Sequence, residues 1–197
     1  MVKYTLREKI LKYLIENKEA HSIREISQKL NTDYKNTFQA ISSLNQKTYS
    51  KKKHGNSHLI SFTPNNNIET FTVENKRAED FLSKNSKIKI IKNYIEEINY
   101  PFFIVLIFGS YAKERQTNTS DIDICIISDN EEKTKTLWNR LNLLSLKLEI
   151  QEFTTKEFIS MIEKRQRNLG HEIVKRNIIL FGTENYYNLI SKWMKTE

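Results

Sequence analysis

The chain has 197 residues, 38% of them hydrophobic and 28% charged, with 32 Lys/Arg against 24 Asp/Glu and a net charge of +8. This is apolar mass enough for one large domain or two small ones, and the longest apolar run, Phe102–Phe108, is strand-length rather than membrane-length. One cysteine, Cys125, and four scattered histidines exclude an internal disulfide, a thiolate cluster and a spaced zinc site. The first twenty residues are charged with helical periodicity, unlike a secretory signal, so a cytoplasmic location without membrane association is expected. The positive charge is uneven. Residues 1–64 carry 12 Lys/Arg and 5 Asp/Glu, whereas residues 65–197 carry the other 20 and 19. An excess confined to the first third suits a polyanionic partner there.

In chain order, Thr5–Asn17 places Leu6, Ile10, Leu11, Leu14 and Ile15 in one stripe and predicts an amphipathic helix. Ser22 with Glu25 three residues later reads as a capping box opening a helix over Ile23–Leu30. Asn31-Thr32-Asp33 is a turn that caps a third helix, from Tyr34 to about Lys47, with Phe38, Ile41 and Leu44 on its inner face. Tyr49–Lys53, a His54-Gly55-Asn56 turn and His58–Phe62 predict a hairpin with a basic first strand. This succession resembles the winged helix-turn-helix family. The resemblance implies double-stranded DNA as a partner of residues 1–64. Lys35, Asn36 and Gln39 would face base edges, and Lys51, Lys52 and Lys53 the phosphates.

Pro64-Asn65-Asn66-Asn67 is the clearest break and predicts a short linker. Helices follow over Glu74–Leu82 and Lys87–Ile98, the second striped by Ile88, Ile91, Ile95 and Ile98. Pro101 ends that run. Phe102–Phe108 (FFIVLIF) then predicts a strand buried on both faces, ending at Gly109-Ser110. Asp121-Ile122-Asp123 leads into a second apolar strand, Ile124–Ile127. Carboxylates two apart on a strand project from one face, and two like charges so placed call for a counter-ion. An all-oxygen pair specifies a hard cation, most simply Mg2+. Gly109 permits close backbone approach, and the amides opening a short helix at Ser110 could hold phosphate oxygens.

The stretch FGSYAKERQTNTSDIDICI resembles the signature of the DNA polymerase β-like nucleotidyltransferase superfamily, particularly its minimal prokaryotic members. That resemblance implies a nucleoside triphosphate held by Gly109 and Ser110. It also implies two Mg2+ ions held by Asp121 and Asp123, which orient an attacking hydroxyl and stabilise departing pyrophosphate. Many members carry glycine where this chain has Glu114; that carboxylate either weakens nucleotide binding or simply points to solvent. After a helix over Glu131–Leu144, the alternating strand Leu146–Phe153 offers Glu149 as the third metal ligand or the base for the acceptor, with Glu152 as runner-up on the apolar face. Cys125 reads as a buried core thiol.

The remainder predicts helices over Thr155–Arg165, Glu172–Arg176 and Glu184–Lys195, with an apolar Ile178–Phe181, as a mostly helical cap. Lys175 and Arg176 read as solvated surface charge. The expected fold is α/β (α+β). A winged helix-turn-helix at 1–64 and a helical connector at 65–100 precede a nucleotidyltransferase domain at 101–197, whose small mixed sheet is flanked by helices. The expected activity is Mg2+-dependent transfer of a nucleoside monophosphate to an acceptor hydroxyl. The alternative is a DNA-binding regulator or antitoxin with a degenerate transferase fold. A homodimer or partner protein covering the open site is also expected. The acceptor and the nucleotide are not readable from the residues.

Overall fold

The computed structural model describes residues 2–193 apart from Asn56, Asn118 and Arg165, with only the backbone of Lys192 and Trp193. The turn residue Asn56 and the predicted helix ends at Arg165 and Lys195 therefore lie outside the described residues.

The first helix, α1 (Leu6–Glu16), opens on a reciprocal capping box between Thr5 and Glu8 and buries Ile10, Leu11, Leu14 and Ile15. A two-residue strand, β1 (His21–Ser22), precedes α2 (Ile23–Lys29) and is too short to register as a pattern. At α2 only half of the expected capping box forms. Ser22 accepts from the Glu25 amide at 3.1 Å, while the Glu25 carboxylate turns to His21 Nδ1 at 2.8 Å. The third helix, α3 (Tyr34–Ser42), stops five residues before Lys47 and buries Thr37, Ala40 and Ile41. Phe38, expected inside, is exposed. The inner stripe is instead set by positions 37, 40, 41 and 44, which turns 38 outward by about 100° from 37. Strands β2 (Tyr49–His54) and β3 (Ser57–Phe62) form the predicted hairpin. β1 joins it to make an antiparallel sheet of order β1-β3-β2.

Helix α4 (Ile68–Lys84) begins six residues earlier than its apolar stripe suggests, because the Asn67 side chain caps it by accepting from the Thr70 amide at 3.1 Å. After a 3-10 turn at Ser86–Ile88, α5 (Lys89–Ile98) buries Ile91, Ile95 and Ile98. The chain continues through β4 (Ile104–Ile107), α6 (Gly109–Ala112), β5 (Ile122–Ile127), α7 (Glu131–Asn142) and β6 (Leu148–Phe153). It ends with α8 (Thr155–Ile162), α9 (Leu169–Lys175), β7 (Ile178–Phe181) and α10 (Thr183–Trp193). The second sheet has the order β6-β5-β4-β7 and is mixed. β5 and β6 run parallel across the α7 connection, and β4 runs antiparallel to both β5 and β7. The tail is thus not only a helical cap, since Ile178–Phe181 supplies an edge strand of the sheet. Its turn into α10 needs glycine: Gly182 has φ +78°, and a Cβ there would lie 2.0 Å from the Phe103 carbonyl oxygen.

Strand alternation sorts the core into two layers. Phe103, Val105 and Ile107 pack with Ile122, Ile124 and Ile126 beneath α5 and α7. On the opposite face Ile104, Leu106, Cys125 and Ile127 join Phe158, Ile162, Ile173 and Tyr186. That second layer continues without a break into Ile10, Leu14, Ile41, Phe62 and Val73, so the N-terminal unit shares a core with the sheet. Each fully buried Leu or Ile in these layers contributes about 1.5–3 kcal/mol relative to an exposed one. Where α1, α4 and β7 meet, charge is buried as well. Arg77 pairs with Glu74, bonds Glu16 at 3.2 Å and donates to the Asn177 carbonyl at 3.0 Å. Tyr187 donates to the other Glu74 oxygen at 2.5 Å. Among the described residues no helix is long and apolar enough to cross a membrane.

Candidate active site

The two predicted acids sit at the beginning of β5, on the face that turns apolar further along the strand. Asp121 precedes β5 and is exposed, Asp123 is half-buried, and Cys125 and Ile127 continue the same face into the core. Burial pushes the Cys125 thiol well up, which suits a packing residue and not a nucleophile. In the parallel pair β5–β6, Asp123 stands opposite Glu149. Asp121, Asp123 and Glu149 therefore share one face and one end of the sheet, on adjacent strands. Glu149 is exposed, and Gln151 on the same face donates to it at 3.3 Å. Glu152 lies on the opposite parity, beside Thr154 and Glu157 near the far end of the strand.

Gly109 opens α6 directly beside Asp123. Its φ is +65°, and a Cβ at this position would lie 1.8 Å from Asp123 Oδ2, so the carboxylate fills the space that only a glycine leaves. The Asp123 carboxyl is held above the usual carboxylate range, first by burial and then by the charges of Glu149 and Asp121. The Ser110 backbone N–H and Lys113 pull it the other way. The Ser110 amide is thus directed to Asp123. The α6 turn closes through Lys113 N to Gly109 O at 3.3 Å and Arg115 N to Ser110 O at 3.0 Å.

The donor set fits a hard divalent cation. All its atoms are oxygens, and the Asp123 carboxyl, raised by burial and by Glu149 and Asp121, carries negative charge that the Ser110 amide and Lys113 answer only in part. Among the described residues, however, no three His, Cys, Asp or Glu side chains close into a metal-binding cluster. The strands bring the three acids to one edge without folding them around a point.

Glu114 has φ +52°, in the left-handed region that glycine adopts freely. This accounts physically for a glycine preference at that position. The Glu114 side chain meets Lys84 of α4 at 3.0 Å, and that hydrogen bond holds its carboxyl below the usual range. Two contributors to the site lacked a local signal. Lys113 faces Asp123 electrostatically. Arg176, expected as free surface charge, donates to the Ala112 carbonyl at 3.0 Å and ties α9 to the C-terminal end of α6, across 64 positions of sequence.

The expected DNA-facing residues Lys35, Asn36, Gln39, Lys51, Lys52 and Lys53 are all exposed. Asn36 is tied back to its own helix cap: its backbone amide bonds Asp33 at 2.8 Å, and its side-chain amide also donates to Asp33.

Residues 88–186 match the family described as "Polymerase beta, Nucleotidyltransferase". The Methanocaldococcus jannaschii protein named "Putative protein adenylyltransferase MJ1547" is 30% identical over 100 residues, covering 48% of this chain and 72% of that relative. No solved structure matches the chain. The matched span holds the whole second sheet, from the 3-10 turn before α5 to the start of α10. On these two matches, the chain belongs to the polymerase β nucleotidyltransferase family.

Proposed function

We propose that the protein transfers a nucleoside monophosphate from a triphosphate to an acceptor hydroxyl and releases pyrophosphate. The likeness to the Methanocaldococcus relative favours ATP as donor and a protein side chain as acceptor. The observation that carries the reading is the Asp123 carboxylate, set in the Gly109 cradle with Glu149 opposite on the neighbouring strand. In the reaction the acceptor oxygen bonds to the α-phosphorus, and the bond from that phosphorus to the bridging oxygen of the leaving pyrophosphate breaks. Glu149, exposed at the open edge, takes the hydroxyl proton. Asp121 and Asp123, with Glu149, would hold divalent cations, two Mg2+ by the family's pattern. Bound there, such ions supply charge neutralisation for the polyphosphate and the leaving group. Gly109 keeps the turn close, and Gly109 with Ser110 would hold the triphosphate.

Incubation with Mg2+ and α-labelled ATP in the presence of cellular protein should yield labelled product that is lost in Asp121→Ala, Asp123→Ala and Glu149→Ala. Label retained in all three variants would refute this site. The turn of Glu114 toward Lys84 supports a working site over a degenerate one, since its charge is engaged on α4. A thermal shift by triphosphate that requires Mg2+ separates the two.

The same reading takes residues 1–64 as a winged helix-turn-helix that binds double-stranded DNA. Its support is the order helix, strand, helix, helix, hairpin together with the exposed lysines of β2. Binding should weaken steeply with salt and be lost on replacing Lys51, Lys52 and Lys53 by glutamate. Salt-insensitive association would refute it.

A further inference from the structure

Helix α3 carries an exposed aromatic pair for which neither the core nor the active site has a use. Tyr34 and Phe38, 55% and 41% exposed, lie one turn apart with near-parallel rings, centroids 6.5 Å apart and planes at 18°. The Lys51 ammonium of β2 lies 5.7 Å from the Phe38 centroid and links the helix to the basic hairpin. Exposed Lys35 and Gln39 flank the pair on α3, and Lys52 and Lys53 continue along β2. Among the described residues none of these four lysines takes part in an ion pair, and the acid beside them, Asp33, is engaged as the α3 cap. A contiguous aromatic surface ringed by unpaired positive charge is complementary to a ligand that is both polyanionic and locally apolar.

We infer that this face recognises A·T-rich duplex DNA, with Phe38 and Tyr34 covering thymine methyl groups. This deepens the DNA-binding reading above and rests on it. The chemistry is specific to one base pair. In the major groove an A·T pair offers the adenine N6/N7 edge, which a glutamine amide can engage with two hydrogen bonds, and beside it the thymine methyl, the one apolar group on that surface. Gln39 follows Phe38 on α3 and both side chains are exposed, so one helix laid in the groove offers an amide and a ring to neighbouring groups of its floor. The Asn36 side-chain amide donates to Asp33, and the aromatic pair supplies the methyl contact that an amide cannot make. The lysines supply sequence-independent attraction to phosphate.

The test is a titration of the full chain with three short duplexes of equal length: A·T only, G·C only, and the A·T duplex with deoxyuridine replacing thymidine. The A·T duplex should bind tightest. Loss of the methyl alone should weaken binding by about fourfold for each methyl covered. Phe38→Ala and Tyr34→Ala, both at exposed positions, should each shrink the difference between thymidine and deoxyuridine, and together abolish it, while leaving the salt dependence intact. Equal binding of all three duplexes, with salt dependence retained, would overturn this inference and leave DNA binding standing; no binding to any duplex would overturn both. Tighter binding to single strands, or a DNA-free dimer that Phe38→Ala converts to monomer, would assign the rings to base stacking or self-association and overturn it as well.

Discussion

Two groups of carboxylates in this protein are treated in opposite ways. At the junction of α1, α4 and β7, Glu74 is buried and fully answered, paired with Arg77 and accepting from Tyr187, while Arg77 also engages Glu16 and the Asn177 carbonyl. At the edge of the second sheet, Asp123 is half-buried against Glu149 and Asp121 with the Ser110 amide and Lys113 as partial compensation, and its carboxyl is pushed up accordingly. Removing a charge from water is costly, and a protein either supplies the counter-charge itself or leaves the charge for a ligand to answer. The first group is architecture, locking the N-terminal unit to the sheet. The second has the character of a site.

That contrast can be broken from either side. The largest effect is expected from Arg77→Met, which strands Glu74 in the core and should cost about 3–5 kcal/mol in denaturant unfolding. Next, Asp123→Ala should reduce transfer at least about a hundredfold, a change worth about 2.7 kcal/mol in the barrier. The matching Asp123→Asn should leave the metal-free melting temperature unchanged or higher, because it removes uncompensated charge. A clear loss of stability in Asp123→Asn would mean that the carboxylate is structural after all. Gly109→Ala should cost about 1–2 kcal/mol from the left-handed backbone alone and should also depress activity by displacing the Asp123 carboxylate. The smallest effect is expected from Glu114→Gly. Relief of its positive φ, set against an exposed pair with Lys84 that contributes at most about 1 kcal/mol, should leave stability within about 1 kcal/mol and activity undiminished. Falling activity there would show that the Lys84 contact supports the site.

Much of this arrangement is legible in particular residues. The pattern FGS…DID carries strand, turn and strand together, because an apolar run, a glycine and acids two apart each satisfy a local rule that does not depend on distant chain. The isoleucine stripe of α5 and the hairpin of lysines are legible for the same reason. Phe38 misleads because three-residue spacing to Ile41 suits either side of a short helix, and only packing against α1 and α2 decides which residues face inward. The start of α4 is hidden because Ile68, which opens it, is exposed and Thr70, Thr72 and Val73 are β-branched, which blurs a helical stripe, although Asn67 is a sound cap. Ile178–Phe181 is recognisable as apolar, but its place as a sheet edge is set by β4.

By itself the sequence determined most of the elements, the two faces of β5 and the kinds of atom gathered at its start, since alternation and turn chemistry act over a few bonds. Only the tertiary structure decided that Glu149 stands opposite Asp123, that Arg176 reaches back to Ala112 and that Glu114 leans on Lys84. Those pairings join residues that are distant along the chain, and the register of a strand or the reach of a side chain across such distances is chosen by the core that forms between them.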